Sequence, residues 1–223
     1  FKVKRNKKIE EFLGCSVTRT TDKIFLHQTK LVNKIEATLG EIKHYDTPAP
    51  AGQILRKPIF EDTLLLPELQ AEYRSGVGKL LYLVKLTRFD LSNAVRELSK
   101  FMDKAQISHM DALDRALNFA VTHGGRGLTI QARKNTKIAE IIGISDATYA
   151  ADPDTRKSVT GYCIFLNRNL MSWKSKMQQS VTLSSCEAEY VAASQCLCEM
   201  LFLKQIAESI GIKVILPMKL YTC

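Results

Sequence analysis

The feature that most constrains this chain is a change of hydrophobic period at Gly127: apolar residues recur at helical spacing before it and in short runs or alternations after it. Leu80, Leu83 and Val84, then Leu91, Ala94, Val95, Leu98 and Phe101, then Leu113, Leu117 and Ala120 mark successive helical faces. They predict helices over about 67–86, 90–102 and 108–122 that pack on one another. Pro67 suits a first helical turn and Asp90 an N-cap. Ser108-His109-Met110-Asp111 resembles a capping box with Asp in place of Glu, and Gly124-Gly125 closes the third helix. After Gly127, Leu128-Thr129-Ile130, then 138–144, 161–166 and 170–173 read as strands, with Asp152-Pro153-Asp154 as a turn cluster. A helix over 185–210, stopped by Gly211, and a strand over 214–221 complete the pattern. An all-α block therefore precedes a mixed α/β one.

Upstream, weak alternation over 12–19 and again over 23–28, separated by Thr20-Thr21-Asp22, predicts a β-hairpin. Leu31, Ile35 and Leu39 predict a helix over 29–39, with Gly40 as its stop. From His44 to Pro67 the chain carries Pro48, Pro50, Gly52 and Pro58 without periodicity, which makes it a connecting segment packed over a surface, or a linker.

At 223 residues and 45% apolar content, one or two domains with a substantial core are expected. No apolar run approaches the roughly 20 residues that span a bilayer, and the basic start is not followed by the apolar stretch of a signal peptide. A soluble, intracellular chain without membrane association is expected. The six cysteines lack paired metal spacing and read as reduced thiols. A formal charge of +9 favours a polyanionic partner. Lys2, Lys4, Arg5, Lys7 and Lys8 concentrate that charge and are the candidate nucleic-acid contacts; the alternative is a solvated terminus.

Asp146 follows the apolar run 141–144 and Ser145, so a carboxylate emerges at a strand end, a costly position unless it is paired or bound to a metal. Glu187 and Glu189 stand near the start of the long helix, where carboxylates also favour the helix dipole. Spacing leaves both readings open: a metal pair with Asp146, or cap and surface roles. Two carboxylates can hold Mg²⁺, whereas a two-metal hydrolase needs more. His109 reads as part of a helix start, Trp173 as core, and Cys196 and Cys198 as pointing to different helix faces.

Two blocks carry a resemblance. Ser145-Asp146-Ala147 with Asp152-Pro153-Asp154-Thr155-Arg156-Lys157-Ser158-Val159-Thr160-Gly161-Tyr162, and the run from Ser172-Trp173-Lys174-Ser175-Lys176 to Cys186-Glu187-Ala188-Glu189-Tyr190, resemble the RNase H region of copia-type LTR-retrotransposon Pol polyproteins. Upstream, Glu11-Phe12-Leu13-Gly14, Leu26-His27-Gln28, Thr47-Pro48, Tyr73-Arg74-Ser75-Gly76-Val77-Gly78 and Thr87-Arg88-Phe89-Asp90 are similar to successive segments of the same family, so the resemblance covers nearly the whole chain. Thr148 and Tyr149 depart from it, standing where the family has Asp-Trp, as does Phe89 for Pro.

The resemblance implies a mixed α/β fold: a reverse-transcriptase palm end over 1–48, thumb and connection helices over 49–126, and a C-terminally incomplete RNase H-like domain over 127–223. It implies action in reverse transcription and hydrolysis of the RNA strand of RNA–DNA hybrids, with two Mg²⁺ ions. The implied partners are an RNA–DNA hybrid or template-primer duplex and the remainder of the Pol polyprotein, in a cytoplasmic virus-like particle or the nucleus. Asp146 matches the first metal-binding carboxylate and Glu189, in Ala188-Glu189-Tyr190, the second, which leaves Glu187 off the metal-facing stripe. The family's next carboxylate belongs to a motif like LYCDN, where this chain reads Leu220-Tyr221-Thr222-Cys223 without the Asp. The polymerase YxDD motif is not in the sequence either, so neither catalytic centre is expected to be whole. The competing expectation is a catalytically inactive retroelement remnant that binds nucleic acid without sequence preference.

Overall fold

The computed structural model describes residues 9–57, 64–131 and 137–222. The basic cluster Lys2, Lys4, Arg5, Lys7 and Lys8 lies outside them, as do Pro58 and Cys223. The chain divides into two compact units, Phe1–Gln53 with Phe60–Ala132, and Ile54–Ile59 with Arg133–Cys223.

The first unit holds an antiparallel sheet in the order β1 (Glu11–Phe12), β2 (Cys15–Arg19), β3 (Lys23–His27), β4 (Leu128–Gln131). The single strand expected over 12–19 is broken by Leu13 and Gly14, both at positive φ (48° and 69°), a two-residue turn whose hand suits a hairpin. A Cβ on Gly14 would lie 2.9 Å from the Tyr82 hydroxyl, which donates to the Leu13 carbonyl at 2.6 Å. The strand expected after Gly127 forms as β4, but it closes this first sheet, with Leu128 opposite Leu26 and Ile130 opposite Ile24. Alternation identifies a strand; it does not name the partner, and β3 offered an open edge.

Among the described residues four α-helices share this unit: α1 (Thr29–Glu36), α2 (Pro67–Leu86), α3 (Ser92–Ser99) and α4 (Ile107–Thr122). Helix α2 begins with Pro67 in its first turn, as expected. Tyr73, Leu80, Leu98, Leu113 and Phe119 form part of a shared core, and Gly76 lets α2 approach α4, since a Cβ there would meet Leu113 Cδ2 at 2.8 Å. Tyr73 also donates to the Leu98 carbonyl at 2.7 Å. The segment after α1 is laid over α4: the Lys43 N–H donates to Asn118 Oδ1 (2.7 Å), and Arg115 donates to the Thr47 carbonyl and hydroxyl (3.2 and 3.0 Å).

Two expected caps are replaced. Asp90 is not an N-cap but sits in a 3₁₀ turn, Phe89–Leu91. Its carboxylate is taken by Arg88 (Nε 2.9 Å to Oδ1, Nη2 3.0 Å to Oδ2) and by Arg126 (3.1 Å). Arg88 is 1% exposed and also donates to the Ala120 and His123 carbonyls (3.1 and 3.2 Å), so a buried guanidinium closes the end of α4. Burial pushes the Asp90 carboxyl upward, but the hydrogen bonds and charges of Arg88 and Arg126 outweigh it and hold the group below the ordinary aspartate value. At α4 the cap is Gln106, two residues earlier than Ser108, and its N–H is accepted by His109 Nδ1 at 3.3 Å. His109 is buried against Phe101, ring centroids 4.0 Å apart, and serves the helix start.

The second unit contains β5 (Ile138–Ala139), β6 (Ile141–Thr148), β7 (Val159–Leu166), β8 (Asn169–Met177), α5 (Ser185–Ser209), β9 (Lys213–Val214) and β10 (Lys219–Thr222). Its main sheet runs β10-β6-β7-β8, antiparallel through β6, β7 and β8, with β10 parallel beside β6. Asn167 and Arg168, at φ 50° and 67°, make the tight β7–β8 turn. The strand expected over 138–144 is split at Glu140, whose N–H leaves the ladder for Asn167 Oδ1 (2.9 Å). Short β5 pairs instead with β9. The strand expected over 214–221 likewise divides into β9 and β10 around Pro217, which has no N–H to give a ladder.

Helix α5 covers one face of this sheet. Ile141, Tyr162 and Ile164 meet Cys196 and Met200 there. Gly143 permits the approach, because a Cβ would lie 2.5 Å from Met200 Sδ and 2.9 Å from Cys196 Sγ. Cys196 is buried and Cys198 exposed, as expected of different helix faces. Burial, then Cys163 and Glu199, push the Cys196 thiol up to about 11. The cysteines among the described residues are free thiols. Among those residues no helix is long and apolar enough to cross a membrane.

Candidate active site

Strand β6 turns Ile141, Gly143 and Ser145 inward, while Asp146 is exposed at the next position. Strand β10 pairs with β6 as far as Ser145, opposite Thr222. Just beyond that pairing, the Ala147 N–H donates to Glu189 Oε1 at 3.1 Å, which ties helix α5 to the end of β6. The other oxygen, Glu189 Oε2, is buried and has no hydrogen-bond partner. A buried, unpartnered oxygen of an ionised group costs at least about 1–3 kcal/mol, so this one is disposed to accept a cation.

Glu189 also lines an open cleft of about 550 Å³ with Ser185, Cys186, Tyr190, Ala193 and Thr222. The two expected site residues thus occupy one strand end: Asp146 directly precedes the residue whose N–H holds Glu189. Among the described residues no group of three or more His, Cys, Asp or Glu side chains is placed to hold a metal, so the candidate site consists of two carboxylates.

Glu187 does different work. Its N–H donates to the Ser184 hydroxyl (3.1 Å), and its carboxylate accepts the Leu183 N–H (2.6 Å), so both partners satisfy donors at the helix start. Two positions along a helix is a rotation of about 200°, which separates Glu187 from the inward-turned Glu189.

The motif blocks contain a second set of residues that pattern-reading passed over. Gln178, 2% exposed, donates to Thr160 Oγ1 (3.1 Å) and to the Ala188 carbonyl (2.9 Å), fastening β7 to the first turn of α5. Ser158 accepts the Ala150 N–H at 3.0 Å and lies 2.8 Å from the Thr182 hydroxyl. Asp152, which the sequence already places in a turn, does form one: its Oδ1 accepts both the N–H and hydroxyl of Thr155 at 2.9 Å. Gln178 holds the start of α5 against β7, which helps set where Glu189 points.

No family model matches the chain, and no solved structure matches it. Among curated proteins it is 30% identical over 221 residues to the retrovirus-related Pol polyprotein from transposon RE1 of Arabidopsis thaliana, a match covering 99% of this chain and 15% of that protein. It is 31% identical over 209 residues to the retrovirus-related Pol polyprotein from transposon TNT 1-94 of Nicotiana tabacum, covering 91% of this chain and 15% of that protein. A secreted RxLR effector protein of Plasmopara viticola is 40% identical over 131 residues, 59% of this chain and 90% of that protein. The chain spans about 15% of the length of the two Pol polyproteins. With 91% to 99% of the chain covered by such relatives at 30% to 31% identity, the chain belongs to the Pol polyproteins of copia-type retrotransposons.

Proposed function

We propose that the second unit is the RNase H-like part of a Pol polyprotein and cuts the RNA strand of RNA–DNA hybrids at a Mg²⁺ site held by Asp146 and Glu189. The observation that carries this reading is the buried, unpartnered Glu189 Oε2 at the end of β6. The strand order supports it too: three antiparallel strands, a helix across their face, then a parallel strand beside the first. In the same reading the first unit is the palm end with thumb and connection helices, which holds the duplex for the polymerase and nuclease steps.

The donor set fits a hard cation, since both candidate ligands are carboxylates. When bound, Mg²⁺ supplies water activation and stabilisation of the leaving oxygen. The chain's own residues set the stage. The Ala147 N–H fixes one oxygen of Glu189 and leaves the other free to bind; Asp146 brings a second charge at an exposed position; Thr222 walls the cleft. Binding without cleavage is a second reading, favoured by the two-carboxylate limit among the described residues.

The test is cleavage of a labelled RNA–DNA hybrid in Mg²⁺ by this chain and by a full Pol polyprotein carrying it. Asp146→Asn and Glu189→Gln should each lower the rate at least about 100-fold, the scale of losing several kcal/mol of charge stabilisation. Cleavage unchanged in both variants would sink the site. Hybrid binding with no cleavage in either protein would leave the second reading.

A further inference from the structure

We propose that the groove between β8 and the adjoining flank of α5 binds the sugar–phosphate backbone of a nucleic-acid strand, with Lys174 and Lys176 as its phosphate contacts. The inference rests on the nucleic-acid reading above and adds the surface that would hold the strand. Strand β8 is the edge of its sheet. Ser172, Lys174 and Lys176 share one side of it, and that side faces α5, because the Ser172 hydroxyl donates to Glu199 Oε1 on the helix at 3.1 Å. The helix answers with Val191, Gln195 and Cys198, spaced at successive turns. Between them lies an open groove of about 520 Å³ with mixed polar and apolar walls that reaches Gln179 and Ser180.

Charge and spacing select the ligand. Both lysines are exposed, and neither has an ion-pair partner among the described residues, whereas Lys204 and Lys219 of the same unit are paired with Glu208 and Glu140. Alternate residues of a strand stand about 6.6 Å apart, the order of the phosphate-to-phosphate step along a nucleic-acid strand. A single compact anion would meet one ammonium well and the other poorly; a continuous backbone meets both. Gln179 and Ser180 add uncharged donors at that end. Glu199 marks the other limit of the groove, its carboxylate engaged by Ser172. The groove lies on a different flank of α5 from the cleft of Glu189, Tyr190 and Ala193, so binding and metal chemistry can be separated by mutation.

The experiment is a salt titration of the intact chain binding a fluorescent RNA–DNA hybrid in EDTA, where no cleavage interferes. Two phosphate contacts at about 0.9 each should lower the log–log salt slope of Lys174→Gln/Lys176→Gln by about 1.8. That is about 60-fold weaker binding at roughly 0.1 M salt for an unchanged 1 M intercept. Lys174→Arg/Lys176→Arg should keep the slope, and Lys204→Gln/Lys213→Gln, with the same charge loss elsewhere, should leave it within about 0.5. An unchanged slope in the groove variant, or no hybrid binding by the unmodified chain, overturns the proposal. Loss of binding in a chain that never cleaves leaves the groove standing and removes the nuclease; cleavage with unaltered binding in the groove variant does the reverse.

Discussion

Arg88→Met removes a buried cation that serves three partners at once: the Asp90 carboxylate and the carbonyls of Ala120 and His123. Methionine fills much of the same volume, so the loss is chiefly electrostatic. Asp90 keeps only Arg126, whose side chain is about half exposed and therefore contributes little. The last turn of α4 loses two charge-assisted bonds. Breaking a buried pair from one side costs about 3–5 kcal/mol, and the same range applies to Asp90→Asn, which strands the guanidinium. In Arg88→Met/Asp90→Asn neither charge is left uncompensated, so the double variant should lose at least about 2 kcal/mol less than the sum of the single losses. Urea unfolding followed by far-UV circular dichroism gives the energies, and amide exchange through the last turn of α4 locates them. A loss under about 1 kcal/mol for Arg88→Met, or additivity within about 0.5 kcal/mol, would refute the reasoning.

Gly143→Val should destabilise the second unit by about 1–3 kcal/mol or more through overpacking against Met200 and Cys196, seen as a lower unfolding midpoint in the fluorescence of Trp173. Because the folded carboxyl of Asp90 is held below its ordinary value, its contribution is complete above the unfolded aspartate pKa and disappears as pH falls through the lowered one. Acid unfolding of Asp90→Asn should accordingly be shallower there than that of the unmodified chain. Glu189→Gln keeps an oxygen for the Ala147 N–H while discarding a buried charge, so without Mg²⁺ it should be at least as stable as the unmodified chain. Added Mg²⁺ should raise Tm only in the unmodified protein; an equal rise in both would remove Glu189 from the site.

Long elements with punctuated ends were legible: Pro67 opens α2, and Gly211 at φ 81° follows α5. Tertiary partners were not. Asp90 reads as a cap until Arg88 and the distant Arg126 are seen to claim it, and the strand after Gly127 has no legible partner until β3 is seen beside it. His109 was legible as part of a helix start, but not its pairing with Gln106, because neither is a favoured capping residue; burial of the imidazole against Phe101 holds it where the cap needs an acceptor. At the site, the carboxylates were found through the motif blocks, not through spacing, which left Glu187 and Glu189 equivalent. Packing distinguishes them: one satisfies donors at the helix start, and the other is turned to the sheet. The supporting Gln178, Ser158 and Thr182 were invisible because a polar residue's partner is set by three-dimensional closure of strands onto a helix.

The parallel pairing of β10 with β6 has a consequence for synthesis. The other strands of that sheet, β6 to β8, can close as hairpins soon after they are made, since their contacts are local. Strand β10 follows only after the whole of α5 has been made. Until it docks, the edge of β6 from Ile142 to Ser145 offers unpaired backbone groups to any extended chain, including another nascent copy. The wall that Thr222 gives to the carboxylate cleft is absent for the same interval. A nascent chain therefore passes through a window in which an open strand edge and its unfinished cleft are the same place, and the arrival of one short strand closes both.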